Sequence, residues 1–509
     1  MTVQEQFQAG VNLHKAGKLA DARAYYRQVL SHQRDHPDAL HLLGVIALQT
    51  GDPQAAIESI ARAIVLNPNQ AAYHANIALA LLKLNRKAEA LGAYQRSVGL
   101  NPTLPLTHFN MGNALAEARQ FDEAIACLRR AVDLAPNLAE PHKNTGDALR
   151  AQGNWDDAEA AYRRALALRP DWHEAMTNLG VVCRVKGDVE QAIRLFDAAL
   201  ARKPDDPAAL WNKGLVYLMR GEYEQGWPLF EWRLKALGMG SDAGLQGRRW
   251  DGCDLAGKRI LIQGEQGFGD ALQFARFVPE VARRGGRIVL SCRAELAPLF
   301  RRMEGVSECV PSDQPLPPHD LSCPLLSLAG ILGVTLANLA APQSYLTADA
   351  HMANDWANRL AGKKPRKVGL VWSGQSFPNP FRSLPPEQLE PLRNVDGIDW
   401  ISLQTGDAAA QPPTTLDMLD AGRELKTFDD TAAVMACLDL VITIDTAAAH
   451  LAGALGIPTW VLVPRFPDWR WGRAGETCPW YPTMRLFRQE QQGDWKEAIE
   501  RIITALGRA

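Results

Sequence analysis

The first half of the chain alternates apolar and polar positions with the spacing of paired helices. Between residues 3 and 236, apolar residues recur about every 3.6 positions, in stretches separated by short polar turns. Gly51, Asp52 and Pro53 form one such turn, in which Asp can cap a helix and Pro suits the first helical turn. The pattern predicts consecutive helices joined by tight turns.

These stretches repeat on a 34-residue grid. Glycine occupies one grid position, with Ala78 in the missing place; proline recurs near the end of each unit, and alanine and a larger apolar residue recur between them. The glycines are Gly10, Gly44, Gly112, Gly146, Gly180 and Gly214. The chain over roughly residues 3 to 236 therefore resembles the tetratricopeptide repeat, in about six to seven copies. One copy cannot bury its own apolar face, so we expect the copies to stack into an α-helical superhelix with a concave groove.

Asparagine also recurs at one place in five consecutive repeats, as a ladder along the inner helices. Its members are Asn76, Asn110, Asn144, Asn178 and Asn212. An amide carries a donor and an acceptor, so the ladder suits an extended acceptor peptide held by its backbone. The alternative is that these residues only bond between neighbouring helices. The resemblance to the repeat-bearing protein O-GlcNAc transferases, which line their groove with such a ladder, favours the acceptor-binding interpretation.

The second half changes to short β-branched runs that alternate with amphipathic stretches. The runs are RILIQ, RIVLSC, KVGLVWSG, DWISLQ, DLVITI, TWVLVP and MRLFRQ. Such alternation predicts parallel sheets covered by helices. We expect a repeat domain at 1–236, a connector at 237–257, and two Rossmann-like lobes at 258–347 and 366–509. A ligand would then lie in the crevice at the strand ends.

The first loop that carries chemistry is GEQGFGD, directly after RILIQ. Gly264, Gly267 and Gly269 allow a sharp turn, and the spacing is a poor match to a dinucleotide fingerprint. Asp270 opens the following helix, either as a cap or as a general base that deprotonates an acceptor hydroxyl. Glu265 is the second candidate for that base.

Two further loops leave strands at the expected crevice. Ser373 and Gly374 end one strand and Arg382 follows, a combination that suits phosphate binding. The turn after DLVITI starts a helix near Thr446, whose free N–H groups and dipole suit a diphosphate. The small Ala447 and Ala448 allow close approach of an anion.

The same turn carries two side chains with open roles. We assign Asp445 to orienting the turn. His450 is either a donor to a phosphate oxygen or a core residue. The aromatic residues Trp469, Trp471, Trp480 and Tyr481 either stack on a base or sugar or only pin a Pro-rich loop, and the second role is favoured.

Together these motifs resemble the heptosyltransferase-type glycosyltransferases of family nine, which have the two-lobed GT-B fold. The motifs are GEQGFGD, KVGLVWSG, FRSLP, DTAAAHLAGALGIP and DWRWGRAGETCPWYPTMRLFRQ; the last three also resemble bacterial fusions of tetratricopeptide repeats with this unit. The resemblance implies Asp270 as catalytic base. It places Ser373, Gly374 and Arg382 on the phosphates of the nucleotide-sugar donor, and the turn from Asp445 to His450, with Thr446, Ala447 and Ala448, on the diphosphate. We also assign Gly267 and Gly269, in the loop before Asp270, to donor binding.

The composition of the chain limits the classes of molecule that it is expected to bind. Lys plus Arg number 55 and Asp plus Glu 57, so the formal charge of −2 argues against nucleic acid or an anionic membrane as a partner. No secretory signal or membrane span is evident, and we expect a cytoplasmic protein. No metal-ligand spacing is found, and no metal is needed if Arg382, the helix N-terminus and His450 neutralise the diphosphate. We therefore expect no cofactor besides the donor substrate.

The leading interpretation is a metal-independent glycosyltransferase with a protein acceptor in the repeat groove. The resemblance makes flagellin a candidate acceptor, because bacterial proteins of similar architecture glycosylate it. The alternatives are a lipopolysaccharide or polysaccharide acceptor, and a repeat scaffold with a decayed catalytic unit.

Overall fold

The computed structural model describes residues 1–239, 247–339, 342–361, 364–375 and 380–508. The chain divides into two compact units, Met1–Leu179 and Gly180–Ala509. Part of the predicted connector (240–246), part of the charged bridge (362–363) and part of the loop before Arg382 (376–379) lie outside the described residues.

Fourteen consecutive helices make up residues 3–230. They are α1 (Val3–Lys15), α2 (Leu19–His32), α3 (Pro37–Gln49), α4 (Pro53–Leu66), α5 (Ala71–Lys83), α6 (Lys87–Leu100), α7 (Pro105–Glu117), α8 (Phe121–Leu134), α9 (Ala139–Ala151), α10 (Trp155–Leu168), α11 (His173–Lys186), α12 (Val189–Arg202), α13 (Pro207–Arg220) and α14 (Tyr223–Phe230). They form seven helix pairs, the upper end of the predicted number of repeats.

The grid glycines allow the two helices of each pair to touch. A Cβ on Gly44 would lie 2.6 Å from Ile60 Cγ1, and one on Gly146 would lie 2.7 Å from the Tyr162 ring. Both partner side chains are fully buried. The pairing of a glycine on the first helix with a large apolar residue on the second is the contact that the 34-residue grid predicts.

The last helix pair is built into the second unit. Leu218, Tyr223, Trp227 and Phe230 share one apolar core with Trp250 and the helices of the first lobe. The Trp227 indole donates a hydrogen bond of 2.7 Å to the carbonyl oxygen of Val334. A short helix, α15 (Arg233–Ala236), follows.

The first lobe contains a five-stranded sheet in the order β1-β5-β2-β3-β4, and every pairing is parallel. The strands are β1 (Arg248–Arg249), β2 (Arg259–Gln263), β3 (Arg287–Cys292), β4 (Val306–Pro311) and β5 (Leu321–Pro324). The helices are α16 (Phe268–Phe274), α17 (Val278–Arg283), α18 (Ala297–Phe300) and α19 (Leu328–Ile331). Because β1 pairs with β5, the sheet begins inside the segment predicted as a connector.

The second lobe contains a six-stranded parallel sheet in the order β11-β10-β9-β6-β7-β8. The strands are β6 (Arg366–Val371), β7 (Ile398–Ser402), β8 (Met418–Asp420), β9 (Leu440–Ile444), β10 (Thr459–Val463) and β11 (Met484–Arg488). The helices are α20 (Ala350–Arg359), α21 (Phe428–Met435), α22 (Ala447–Leu455) and α23 (Lys496–Leu506). Since all strands run the same way, the loops after them gather at one edge of the sheet.

Candidate functional site

The loop after β2 is a tight turn that presents Asp270 on the first turn of α16. The Gly264 N–H donates to the carbonyl oxygen of Ser291 at 2.7 Å, and Gln266 adopts a positive φ of 70°. The Asp270 carboxylate accepts a 3.1 Å hydrogen bond from the Gly267 N–H. Asp270 therefore does cap the helix, from its third position.

Gly269 brings the first lobe against the helix that follows β9. A Cβ at this position would lie 2.8 Å from His450 Cδ2 and 3.7 Å from Ala447 Cα. Only glycine fits this approach without displacement of the imidazole. The loop of the first lobe and the start of α22 thus meet at one junction.

Arg470, which no sequence motif indicates, connects the two lobes at that junction. Its guanidinium forms ion pairs with Asp270 and, at 2.8 Å, with Asp468, and its Nε donates to the Gln273 side chain. Burial opposes its charge, but the two carboxylates outweigh burial and raise the pKa of Arg470. The side chain is 11% exposed, so this cation is fixed within the junction.

The loop after β6 is held by polar contacts within the second lobe. The Ser373 N–H donates to Gln404 Oε1 at 2.8 Å, and the Gly374 N–H donates to Ser383 Oγ at 3.1 Å. A Cβ on Gly374 would lie 2.8 Å from Thr446 Cγ2. The two loops selected from the sequence therefore lie side by side.

Arg382 adds a cation to these loops. Its Nε donates to the carbonyl oxygen of Gln375 at 2.7 Å, and its charge lowers the pKa of Asp445. Burial and the charge of Asp468 act more strongly in the other direction, so the pKa of Asp445 rises to about 6. The carboxyl of Asp445 is thus under the electrostatic influence of Arg382, Arg470 and Asp468.

Helix α22 begins as predicted, with Thr446 in the extended conformation at its N-cap and Ala447 as its first residue. The Thr446 side chain does not bond to the first turn of the helix. Ala447 and Ala448 are half-buried and small. Within the described part of the chain, no side chain caps the N-terminal amides of α22, where the phosphate prediction puts an anion.

His450 is a core residue. It is 5% exposed, its Nδ1 lies 3.0 Å from the Tyr481 hydroxyl, and its ring stacks on Trp471 at 5.2 Å. Burial lowers the pKa of His450 well below its ordinary value, so the imidazole is neutral. Of the two interpretations of His450, phosphate donor or core residue, the structure supports the second.

Glu265 is buried away from this junction. Its carboxylate pairs with Arg233 at 2.7 Å and accepts from the Leu326 N–H at 3.3 Å. Burial raises its pKa despite the opposing charge of Arg233. Both Glu265 and Asp270 are ion-paired, but the Glu265 side chain is 1% exposed and the Asp270 side chain is 23% exposed. Because a general base must reach the proton that it removes, Asp270 is the better candidate.

The aromatic residues of the DWRW and CPWYP segments pack inward. Trp469, Trp480 and Tyr481 are each at most 3% exposed. Trp480 stacks on Tyr223 with ring centroids 5.9 Å apart. They hold the loop against the last helix pair and do not form an exposed surface for a base or sugar. This is the role that the sequence favours.

The ladder asparagines bond largely to the preceding repeat. Asn76 Nδ2 lies 2.8 Å from His41 Nε2; Asn144 donates to Asn113 at 2.7 Å, and Asn178 to Asp147 at 2.8 Å. Asn212 bonds to the carbonyl oxygen of Ala208 in its own helix, and Asn110, like the others, is half-buried. These contacts support the structural role, and they leave amide oxygens for an acceptor.

Comparisons with known proteins agree on the first half of the chain. Family models of the tetratricopeptide repeat match residues 7–71, 49–105, 103–171 and 149–213. The N-terminal helix pairs are tetratricopeptide repeats. The second half is an α/β structure with parallel sheets.

Among curated proteins, Protein FlbA of Caulobacter vibrioides is 32% identical over 291 residues, which cover 52% of this chain and 48% of that protein. The chain thus spans about half the length of this relative.

Among solved structures, MamA is 24% identical with a TM-score of 0.30, over 32% of this chain and 94% of that chain. YrrB, described as a TPR protein with an unusual peptide-binding site, is 20% identical with a TM-score of 0.35, over 37% of this chain and 98% of that chain. None of the described helices has the length and apolar character needed to cross a membrane.

Proposed function

We propose that the chain is a glycosyltransferase of the GT-B type that moves a sugar from a nucleotide diphosphate donor to a hydroxyl of a protein. The observation that carries the proposal is the convergence at one junction of Asp270 from the first lobe with Arg382 and the uncapped start of α22 from the second. Arg470, between Asp270 and Asp445, links the two sides.

In the proposed reaction the acceptor oxygen attacks the anomeric carbon of the donor. The bond between that carbon and the phosphate oxygen breaks, and its electron pair leaves with the nucleotide diphosphate. Asp270 takes the proton of the acceptor hydroxyl. Arg470 and the Gly267 N–H hold the Asp270 carboxylate in place for that role.

The second lobe stabilises the departing diphosphate. Arg382 supplies a positive charge, while the amides of Ala447 and Ala448 supply hydrogen-bond donors and the favourable end of the α22 dipole. The Ser373 and Gly374 loop adjoins them. Such preorganised donors act where charge develops, and the loss of one typically costs roughly 10²-fold or more in rate.

The repeats supply the acceptor site in this proposal. Tetratricopeptide repeats stack into surfaces that bind peptide segments. Because the ladder amide nitrogens of Asn144 and Asn178 are engaged between repeats, their oxygens would accept from the backbone N–H groups of the acceptor.

Calorimetry with a panel of nucleotide diphosphates tests the donor site on the full chain. We expect one of them to bind, and we expect the nucleotide sugar that carries the same nucleotide diphosphate to be turned over. Arg382→Ala should lower turnover by roughly 10²-fold or more, whereas Arg393→Ala, an exposed arginine of the same lobe, should leave it unchanged. Undiminished turnover in Arg382→Ala contradicts the phosphate role.

A second variant addresses the base. Asp270→Asn should abolish transfer to the hydroxyl while the affinity for the nucleotide diphosphate is retained. Equal transfer by Asp270→Asn and the unmodified chain rules out the carboxylate as the base.

The acceptor site has its own test. Replacement of Asn110, Asn144 and Asn178 by Ala should raise the acceptor KM and leave donor hydrolysis unchanged. If no nucleotide diphosphate binds at all, the chain is a tetratricopeptide-repeat scaffold, the alternative that the family matches alone favour.

A further inference from the structure

A separate cavity of about 210 Å³ lies beyond the ends of β10 and β11. Its polar walls come from Lys186 at the end of α11, Arg465 after β10, Arg473, and Arg488 and Gln489 at the end of β11. It contains none of the residues assigned to the proposed donor site, so it does not depend on that proposal.

The cavity is lined by four cations, and no carboxylate is among its lining residues. The Arg488 guanidinium is fixed by backbone oxygens alone among the described contacts, at 2.6 Å from Trp471, 3.1 Å from Gly472 and 2.7 Å from Gly475. Burial lowers the pKa of Arg488. Its positive charge is therefore oriented without being neutralised by an acidic side chain in the cavity wall.

Gln489 adds a buried donor to this wall. The residue is 5% exposed, and its Oε1 accepts from the Arg465 N–H at 3.2 Å. Its Nε2 is buried and has no hydrogen-bond partner among the described residues. A buried amide donor without an acceptor is unfavourable, so the arrangement calls for a ligand that accepts hydrogen bonds.

We propose that this cavity binds the phosphoryl group of a small phosphorylated molecule. Phosphate oxygens accept hydrogen bonds and carry the double negative charge that several arginines complement. Liquid water occupies about 30 Å³ per molecule, so the cavity has the volume of about seven waters. That volume accommodates a phosphoryl group and a small organic substituent, whereas the ends of four cationic side chains exclude a bulky apolar ligand.

Calorimetric titration of the full chain with inorganic phosphate, glucose 1-phosphate and acetate tests the site. Saturable binding of either phosphate compound, weakened by added salt, is expected, with much weaker binding of acetate. Tighter binding of glucose 1-phosphate than of inorganic phosphate identifies a phosphorylated metabolite as the source; the reverse order identifies free phosphate. Binding of neither, or equal binding of acetate, overturns the proposal.

Two variants of the cavity wall test whether phosphate binds in this cavity. Gln489→Glu keeps an acceptor for the Arg465 N–H but replaces the buried donor by an anion, and Arg473→Ala removes one cation. Each should weaken phosphate binding by roughly tenfold or more. The matched controls, Gln411→Glu and Arg393→Ala, are exposed elsewhere in the same lobe and should bind phosphate unchanged.

Arg382→Ala separates this site from the proposed donor site. It should leave phosphate affinity intact while it impairs turnover of a nucleotide sugar. Phosphate binding that is lost in Arg382→Ala but retained in both cavity variants assigns the anion to the α22 site and contradicts the proposal. Circular dichroism and thermal melting of each variant establish that it is folded.

Discussion

Replacement of Arg233 by methionine should destabilise the second unit more than any conservative change to its partners. The Arg233 side chain is fully buried and donates to Glu265 at 2.7 Å, to Glu231 at 2.6 Å and to Ser327 Oγ at 2.8 Å. Methionine fills similar space but leaves the Glu265 carboxylate buried without its counter-charge. Removal of one partner from a buried pair costs about 3–5 kcal/mol.

Glu265→Gln should cost less, about 1–3 kcal/mol. The amide oxygen can still accept from Arg233 and from the Leu326 N–H, and Arg233 keeps its second ion pair with Glu231. The double variant should recover at least about 1 kcal/mol relative to the sum of the single variants, because the uncompensated carboxylate is then absent.

The pH dependence follows from the same charge. Burial raises the pKa of Glu265 already in the presence of Arg233, and loss of Arg233 should raise it further. A carboxyl whose pKa is higher in the folded state loses stability as the pH rises through that pKa. The destabilisation by Arg233→Met should therefore be small near the ordinary glutamate pKa of 4.5 and largest at pH 8.

Urea denaturation measures the free energy of unfolding of each variant, and urea suits this purpose because it does not screen charge. Hydrogen exchange of the peptide that contains Leu326 measures the local effect around Glu265. Faster exchange of this peptide in Arg233→Met than in Glu265→Gln, with a larger difference at pH 8 than at pH 5, is the expected result. Equal effects of the two variants at both pH values would show that the unpaired carboxylate is not the cause.

Two further predictions concern packing and charge. Gly146→Ala should lower the free energy of unfolding by about 1–3 kcal/mol, because the added Cβ would overlap the Tyr162 ring. Gly92→Ala is the control: the space around its Cβ within α6 is open, and it should raise the free energy of unfolding by up to about 1 kcal/mol. Thermal unfolding compares the two variants, and equal melting temperatures would contradict the glycine contact. Asp445→Asn should raise the free energy of unfolding above pH 6 by up to about 3 kcal/mol, because the carboxyl pKa of about 6 exceeds its ordinary value of 3.8. The gain should vanish near pH 4. Thermal unfolding at several pH values measures it, and a gain that is constant with pH would rule out this carboxyl as its source.

The sequence predicts the long elements because their patterns are local. All seven β-branched runs become strands, from β2 to β11, and the helix after β9 begins at the predicted residue. The strands that escaped prediction, β1, β4, β5 and β8, are short or contain proline and polar residues. Their extended conformation depends on pairing with parallel neighbours, which no local pattern reveals.

The candidate site, too, contains contacts that the sequence predicts and contacts that it does not. Loops after parallel strands share an edge, so the proximity of Gly374 to Thr446 follows from topology. The sequence does not indicate Arg470, because its partner Asp270 lies 200 residues away and the motif around Arg470 is dominated by tryptophan. The sequence suggests Glu265 as a base because it lies in the same loop as Asp270, but its ion-pair partner, Arg233, is at the end of the repeats and no local pattern reveals that pairing.

The embedding of α13 and α14 in the core of the second unit determines where the chain can be divided. Trp227 and Tyr223 pack against Phe274, Trp469 and Trp480. A fragment that starts after residue 236 would present those apolar partners to water and would aggregate. A fragment that retains α13 and α14 keeps them covered, so a fragment suited to isolated study begins within the repeats and not at their end.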